Sequence, residues 1–466
     1  MQLLGLLFLV AACSEDESIL GVSTAGAGGE EPSEGAAGTS GAGGAAGSPV
    51  DGSGGTAGNA GVGAGGNDRD AGDASPDAGA IEVTLRTYEV MPVTPPWVAY
   101  QDGEGSWQRL AGEDGVFKFP VTSPRYGVAV ACDAPGSDAQ WIGLMLATVA
   151  ETVNPRIACP IAANPTDTVS GTVTGVPPGY GSEVDAYLFG DWIEAGNGEY
   201  SFATRSGTRD VIAAMGTYYT ATGSTVRRVI LLRDRQISSS GTRFDFDFAT
   251  QGVDLTANAQ VSCSGISQGD QVSTVASYQT VGGSELALFT GATPNFTFLL
   301  IPQAERRTGD YYAISAYVTG TGGSRSKTKL VTDPSSVELS LPPANATSAV
   351  DRVTASPYIR LKATLPDAAE ATYFRVRYTN FSGALGRDWF SIITPGWVSQ
   401  QRAFTLPDFS AVSGWDNSWG LLGGSPILAY VVAVRHSLGI AGLVGGTADP
   451  DGIEIARSEQ VFTLRP

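Results

Sequence analysis

The sequence is short of the residues that most enzyme and metal sites use. It contains one histidine, His436, among 466 residues. A single histidine excludes metal sites that need two histidines and the H-E-x-x-H motif of zinc peptidases. A serine triad would have to use His436, and the chain lacks a P-loop. Since His436 ends an alternating apolar run, we predict a strand-end or surface histidine without a catalytic role.

Basic residues are also scarce. The chain has 28 Lys and Arg against 47 Asp and Glu, a formal net charge of −19. Nucleic-acid affinity comes from clustered Lys and Arg, so we expect no nucleic-acid partner. One stretch near the N-terminus contributes about ten of the net negative charges, since Arg69 is its one basic residue. Its eleven acidic residues are Glu15, Asp16, Glu17, Glu30, Glu31, Glu34, Asp51, Asp68, Asp70, Asp73 and Asp77.

Long hydrophobic runs are lacking, and the main apolar stretch opens the chain. It covers about ten residues before Ala11-Ala12-Cys13, the length of a signal-peptide core and too short to span a bilayer. This arrangement resembles the lipobox of bacterial lipoproteins, although no Lys or Arg precedes the run. The resemblance implies removal of residues 1–12, acylation of Cys13 and stable membrane attachment through two or more acyl chains. Ser14 in place of Asp implies the outer membrane of the cell envelope. The alternative is an ordinary secretory peptide with a chance cysteine.

Residues 13–80 have a different composition, dominated by Gly, Ala and Ser and without any aromatic residue. Such a stretch buries too little apolar surface to offset the entropy of ordering, so we predict a disordered linker, here called the tether. Its end-to-end distance would be about 40–50 Å. A lipobox followed by such a tract resembles the surface lipoproteins of myxobacteria.

From Ile81 onward, short runs rich in Val, Ile, Thr, Tyr and Phe alternate with period two, which predicts an all-β fold. Four strand types recur in the same order. Opening strands are at Ile81, Val169, Ala259 and Tyr358; second strands at Trp97, Val184, Val275 and Phe374; third strands at Gly115, Gly198, Pro294 and Arg402; fourth strands at Tyr126, Arg209, Tyr311 and Ile427. We therefore predict four tandem β-sandwich domains at 81–165, 166–254, 255–345 and 346–466.

The second of these segments carries the most specific pattern. Val169-Ser-Gly-Thr-Val is followed by Gly198-Glu-Tyr-Ser-Phe and by Arg209-Asp-Val-Ile-Ala. This order resembles the carboxypeptidase-regulatory-like, or transthyretin-like, β-sandwich. The resemblance implies a fold and a role as an appended module, with no chemistry attached. An immunoglobulin-like or fibronectin type III sandwich is the alternative that strand patterns leave open.

Three cysteines remain after Cys13, and none forms a Cys-x-x-Cys pair, so we expect no structural zinc site. Cys132 and Cys159 end two apolar strands with one more strand, at Gln140–Thr152, between them. One strand running back brings both cysteines to the same end of the sandwich, which predicts a disulfide in an exported protein; two buried thiols are the alternative. We interpret Cys263 as a small core residue, with a reactive thiol as the alternative.

Paired carboxylates could still serve a glycosidase. The candidates are Asp245 with Asp247, Asp102 with Glu104, and Asp449 with Asp451. The first pair lies two apart on a predicted strand, Arg243–Phe248, whose phenylalanines would share the opposite face. The other two pairs have turn composition, and a calcium ion held with loop carbonyls is an alternative for them. We expect neither catalysis nor a cofactor.

Aromatic residues give the strongest functional signal. Half of the eight tryptophans lie in the last segment, and Trp415-Asp-Asn-Ser-Trp419 has loop composition. Two exposed tryptophans beside Asp416 and Asn417 would suit stacking on a sugar or contact with a partner. The alternative is that Trp415 and Trp419 fold back over the sandwich core. The sequence therefore predicts a non-catalytic, lipid-anchored envelope protein with a role in adhesion, scaffolding or ligand binding. A glycan-binding or carbohydrate-active protein is the alternative, and an envelope protein or polysaccharide is the expected partner.

Overall fold

Regular structure in the described residues is almost entirely β-strand. The computed structural model describes residues 80–88, 95–133, 140–159, 167–185, 192–194, 197–204, 206–220, 223–345, 347–382, 385–398, 402–444 and 449–465. The predicted signal peptide, Cys13 and the tether up to residue 79 lie outside these residues. The all-β prediction is confirmed, and all four recurring strand types are present. We call the four predicted segments modules 1 to 4.

Modules 1 and 2 contain the first sixteen strands. Those of module 1 are β1 (Ile81–Tyr88), β2 (Trp97–Asp102), β3 (Gln108–Arg109), β4 (Val116–Val121), β5 (Arg125–Asp133), β6 (Gln140–Thr148) and β7 (Arg156–Ala158). Those of module 2 are β8 (Asp167–Thr174), β9 (Gly181–Asp185), β10 (Trp192–Glu194), β11 (Gly198–Thr204), β12 (Gly207–Thr220), β13 (Gly223–Ile237), β14 (Thr242–Arg243), β15 (Phe246–Asp247) and β16 (Val253–Asp254).

Modules 3 and 4 contain the remaining strands and the helical turns. Module 3 has β17 (Asn258–Ser264), β18 (Gln271–Gln279), β19 (Glu285–Gly291), β20 (Asn295–Leu299), a 3-10 turn (Gln303–Glu305), β21 (Tyr311–Gly320), β22 (Gly323–Val331) and β23 (Ser336–Ser340). Module 4 has β24 (Ala349–Thr354), β25 (Arg360–Thr364), β26 (Tyr373–Ser382), β27 (Leu385–Ile393), β28 (Ala403–Thr405), a 3-10 turn (Asn417–Trp419), β29 (Ile427–His436), the short helix α1 (Gly439–Val444) and β30 (Glu454–Leu464).

Each module places a small sheet, here called its cover sheet, on a set of longer strands. In modules 1 and 3 the cover sheet has the order fourth, first, last, as in β4-β1-β7, and its last strand runs parallel to the first. In module 2 the order is β11-β8-β14, and β14 and β15 both run parallel to β8. Module 4 differs, since its cover sheet β24-β25-β28 uses the preceding strand β24, which is antiparallel to β25. The sequence pattern left this difference in topology open.

The longer strands of all four modules join edge to edge in one sheet, here called the long sheet. β6 of module 1 pairs in parallel with β27 of module 4 over seven residue pairs. β30 of module 4 pairs with β22 of module 3, and β19 of module 3 pairs with β13 of module 2 over two residue pairs. The spatial order of modules is therefore 1, 4, 3, 2. The domain boundaries remain a prediction. Main-chain hydrogen bonds connect module 1 to module 4, module 4 to module 3, and module 3 to module 2.

Both faces of the long sheet are buried where modules 1 and 4 meet. Val98 belongs to a core beneath the cover sheet of module 1, whereas its neighbour Trp97 belongs to a core shared with module 4. Strand β6 shows the consequence, because seven consecutive residues, Trp141 to Ala147, are buried. A strand that is covered on both faces is expected to be continuously apolar. Residues 80–466 belong to one compact unit.

The disulfide prediction is confirmed for Cys132 and Cys159, whose Cα atoms are 5.7 Å apart. Cys132 is on β5 of the long sheet, and Cys159 directly follows β7 of the cover sheet. The bond therefore joins the two layers of module 1 and closes a loop with a sequence separation of 27.

One strand prediction is wrong in detail. Instead of a single strand over Arg243–Phe248, the chain makes two short parallel bridges with β8, at β14 and β15. The alternation itself is present, since Phe246 and Phe248 are buried and Asp245 is exposed.

Candidate functional site

The predicted binding residues lie on a loop that contacts two modules. This tryptophan loop, residues 406–421, connects β28 to β29 in module 4. It packs on Trp97 of β2 in module 1 and on Trp389 of β27 in module 4, both fully buried. Phe409 lies between them, with ring centroids 5.0 Å from Trp97 and 5.9 Å from Trp389. The loop therefore covers the junction of modules 1 and 4.

Hydrogen bonds to main-chain carbonyls fix the course of the loop. The indole of Trp97 donates to Ser413 O at 3.3 Å, and that of Trp389 donates to Trp419 O at 3.2 Å. Arg387, which is almost fully buried, donates from Nε to Ser418 O at 2.7 Å. Because the donors belong to the buried side chains of Trp97, Trp389 and Arg387, these bonds avoid the cost of unpaired buried donors. These bonds hold one conformation of the loop in place.

Trp415 and Trp419 are brought together by this packing. Their rings are perpendicular with centroids 5.3 Å apart, and both residues are half-buried. Trp415 also contacts Trp97 and Tyr358, at 4.9 Å and 5.8 Å between centroids. This packing corresponds to the alternative in which the two tryptophans fold back over the sandwich core. Part of each residue remains accessible at the surface.

Asp416 and Asn417 occupy the exposed turn between the two indoles. The Asp416 carboxylate accepts a hydrogen bond from Ser418 N at 2.8 Å and so caps the 3-10 turn. Asn417 is the first residue of that turn. A rigid turn that carries an acid and an amide between two indoles has the chemistry to hydrogen-bond and stack on one ligand. Whether a ligand binds there remains a prediction.

Module 1 contributes residues to this region that the sequence did not indicate. Trp107 packs edge-on against Phe409 at 4.9 Å, and the guanidinium carbon of Arg109 lies 5.9 Å from the Trp97 ring centroid. Burial lowers the pKa of Arg109, which still donates to Pro96 O at 2.7 Å. Only the β6–β27 pairing brings these residues to the loop, and a strand pairing across more than two hundred residues leaves no local sequence signal.

The candidate carboxylate pairs serve turns and strand contacts. Asp245 accepts from Thr172 Oγ1 and N at 2.8 and 2.9 Å, which lowers its pKa. Asp247 accepts from Ala249 N and Thr250 Oγ1 in its own turn. Asp245 therefore holds its segment on β8, and Asp247 stabilises its own turn, so both carboxylates have structural roles.

The two turn pairs behave similarly. Burial would raise the pKa of Asp102, but hydrogen bonds from Thr122 and Ser123 outweigh it and leave the pKa below its ordinary value. Asp451 accepts from Thr332 N and Oγ1 at 2.8 and 3.0 Å, which ties module 4 to module 3. The described residues contain no group of three or more His, Cys, Asp or Glu that could hold a metal ion. Calcium binding by these turns is not tested by this geometry.

A buried ionic cluster joins modules 2 and 3, whose shared ladder of two residue pairs is the shortest between neighbouring modules. Arg233 donates to Asp210 and to Asp310, each at 2.7 Å, and all three side chains are buried or nearly so. Tyr278 donates to Asp310 at 2.5 Å, and Arg233 also donates to Glu305 O at 2.7 Å. We call these residues the arginine cluster. No local pattern in the sequence marks the arginine cluster, because its charges come from separate parts of the chain.

Burial would raise the pKa of Asp210, but hydrogen bonds from Asp234 N and from Arg233 outweigh it and hold the pKa below its ordinary value. Burial likewise acts to lower the pKa of Arg233, and the two carboxylates overcome that effect and raise it. These two pKa shifts keep Asp210 and Arg233 charged at neutral pH.

His436 and Cys263 differ from their predicted settings in one respect each. His436 is the last residue of β29, as predicted, but it is 3 % exposed and not on the surface. Cys263 is a free, half-buried thiol on β17 at the edge of the module 3 core. Burial raises the pKa of Cys263 to about 11, which disfavours the reactive thiolate.

No protein-family description matches the chain, and no curated protein matches it. The chain is similar to solved structures at low identity. A candidate adhesin from Bacteroides ovatus is 14% identical, with 39% of this chain and 91% of that chain covered and a TM-score of 0.16. The FN1–FN3 domains of chicken CNTN1 are 9% identical, with 65% and 99% covered and a TM-score of 0.15.

A candidate carbohydrate-binding protein from Bacteroides uniformis is 11% identical, with 65% and 100% covered and a TM-score of 0.13. At these identities and TM-scores the similarities carry no argument about function, so the site must be judged on its own geometry. Within the part of the chain that the structure describes, no helix has the length and apolar character needed to cross a membrane.

Proposed function

We propose that this chain is a non-catalytic, lipid-anchored cell-envelope protein whose β-sandwich modules form one rigid body for adhesion or ligand binding. Acylated Cys13 would attach it to the outer membrane, and the tether would hold the modules away from the lipid. The carboxylates that a hydrolase would need are engaged in turns and strand contacts, which favours a binding role over catalysis.

The tryptophan loop is the observation that carries the proposed binding role. Its buried aromatic side and its carbonyl hydrogen bonds fix the exposed turn before any ligand arrives. A binding surface that is already ordered loses little conformational entropy on association. Half-buried Trp415 and Trp419 would supply contact area, and Asp416 and Asn417 would supply hydrogen bonds.

A glycan is the ligand class that this chemistry fits best. A sugar ring offers an apolar face for stacking on an indole edge or face and hydroxyl groups for a carboxylate and an amide. A protein partner in the envelope is the second candidate. It is favoured by the aromatic content of the loop, since tryptophans dominate the energetics of many protein interfaces.

The binding proposal is tested on a panel of envelope polysaccharides and oligosaccharides with the soluble chain after residue 79. We expect Asn417→Ala and Asp416→Ala to weaken glycan binding about fivefold or more, consistent with losing a hydrogen bond of about 1 kcal/mol. Asp351→Ala is the matched control, because Asp351 is also exposed but lies on β24. Unchanged affinity in both loop variants would remove the tryptophan loop as the binding site.

The anchor is tested separately by growing cells with a radiolabelled fatty acid. The wild-type chain should carry label and sediment with outer membranes, whereas Cys13→Ala should carry none and be released. Equal labelling of both forms would contradict acylation at Cys13 and leave the binding proposal intact.

A further inference from the structure

The only histidine of the chain lies beneath the only α-helix in the described residues. His436 ends β29, and α1 follows within three residues. The α1 backbone packs directly on the imidazole, since a Cβ added at Gly442 would lie 2.3 Å from Cε1 and 2.5 Å from Nδ1 of His436. Leu443 of α1 is buried in the module 1 core, which also contains Val434 and Ile455. The helix therefore covers an apolar strip of the long sheet and rests on His436.

The hydrogen bonds of His436 require its neutral form. Leu438 N donates to Nδ1 at 3.1 Å, so the single proton of the neutral ring is on Nε2. Nε2 is buried and has no hydrogen-bond partner among the described groups. A second proton would enter at Nδ1, where it would face the Leu438 N–H, and the bond that starts the turn into α1 would be lost.

Among the described residues, the charged group that acts on His436 is the cation of Arg457, and no described anion compensates that proton. α1 itself carries no charged or titratable side chain. On the same face of the sheet, the neighbouring strands place Arg457 of β30 and Tyr373 of β26, each opposite Val434. Burial and, to a smaller extent, the charge of Arg457 lower the pKa of His436. Arg435, the adjacent residue on β29, points to the other side and pairs with Glu370.

We propose that His436 is an acid-sensitive contact that holds α1 on the long sheet at neutral pH and releases it when the imidazole takes a second proton. Release uncovers the apolar strip beneath α1, giving an envelope protein a surface that is available only in acid. Thermodynamic linkage gives the direction of the pH dependence. A group whose folded pKa lies below its unfolded value of about 6.5 contributes its full stability above pH 6.5 and loses it as pH falls through the folded pKa.

The single histidine makes the first test direct. Histidine labelled with ¹³C at Cε1 gives one NMR signal, which we expect to titrate below pH 6.5. Leu438 is 40% exposed in the wild type, so a fluorescent dye can be attached to Leu438→Cys in a Cys263→Ser background. The fluorescence of this dye should change at the same pH. Titration at or above 6.5, or titration without a change in the dye, would overturn the proposal.

Variants separate the contact from general acid denaturation. His436→Leu and His436→Gln cannot take the second proton, so the dye transition should disappear in whichever variant folds. Arg457→Gln should move the transition to higher pH, and the matched control Arg435→Gln should leave it unchanged. Gly442→Ala should give the released signal already at pH 7.5, because its methyl group would occupy the space of the imidazole. A transition that persists without the imidazole would contradict the assignment.

Discussion

The arginine cluster makes the sharpest prediction about stability. Arg233 is the shared partner of two buried carboxylates, Asp210 and Asp310, at the junction of modules 2 and 3. Arg233→Met keeps most of the side-chain volume but leaves both carboxylates without their cation. Removing one partner of a buried ion pair costs about 3–5 kcal/mol, and we expect a loss in this range.

A matched exposed pair supplies the control. Arg307 and Asp234 are 2.6 Å apart beside the same cluster, but their side chains are 41% and 65% exposed. Exposed pairs contribute about 0–1 kcal/mol, so Arg307→Met should be nearly neutral. Adding Asp210→Asn and Asp310→Asn to Arg233→Met should recover part of the loss, since neutral amides need no cation.

Urea unfolding followed by two probes identifies where the loss occurs. Circular dichroism follows all the modules, whereas tryptophan fluorescence follows mainly modules 1 and 4, which contain every tryptophan except Trp192. The Arg233→Met transition should shift more by dichroism than by fluorescence, because a multi-module chain need not unfold in one step. Equal stability of Arg233→Met and Arg307→Met would refute the reasoning.

Four further outcomes follow from the same structure. Replacing Cys132 and Cys159 by serine should lower the free energy of unfolding by about 3 kcal/mol through loop entropy, measured by urea denaturation, with Cys263→Ser as the control that changes little. Cys263, whose pKa is raised to about 11, should react slowly with iodoacetamide at pH 8 until urea unfolds module 3; rapid reaction in the folded state would contradict its burial. Trp389→Ala should cost about 3–5 kcal/mol and release the tryptophan loop to proteolysis. Because the pKa of Asp210 is held below its ordinary value, the junction of modules 2 and 3 should keep its stability above about pH 4 and lose it as pH falls further; acid unfolding that is unchanged in Asp210→Asn would contradict this.

The strands themselves were predictable because their signal is local. Alternation with period two is present in each short run, and the predicted third strands at Gly115 and Gly198 correspond to β4 and β11. The disulfide was also predictable, since one strand between two cysteines fixes their relative position.

The joining of modules was harder to predict. Main-chain pairing between β6 and β27 depends on backbone groups that every residue carries, so no motif marks it. One signal was present, the unbroken apolar run from Trp141 to Ala147, which is typical of a strand covered on both faces. The arginine cluster and the contact of Trp97 with the tryptophan loop depend on those pairings and were therefore invisible in the sequence.

Hydrogen exchange of β6 tests the continuous long sheet most directly, and both the proposed binding surface and the proposed acid-sensitive contact depend on that sheet. If β6 is paired on one side with β5 and on the other with β27, the amides of residues 141–147 should all be strongly protected. If instead alternate amides of β6 exchanged rapidly, as in an edge strand with one free side, modules 1 and 4 would not share a sheet and the account would be contradicted.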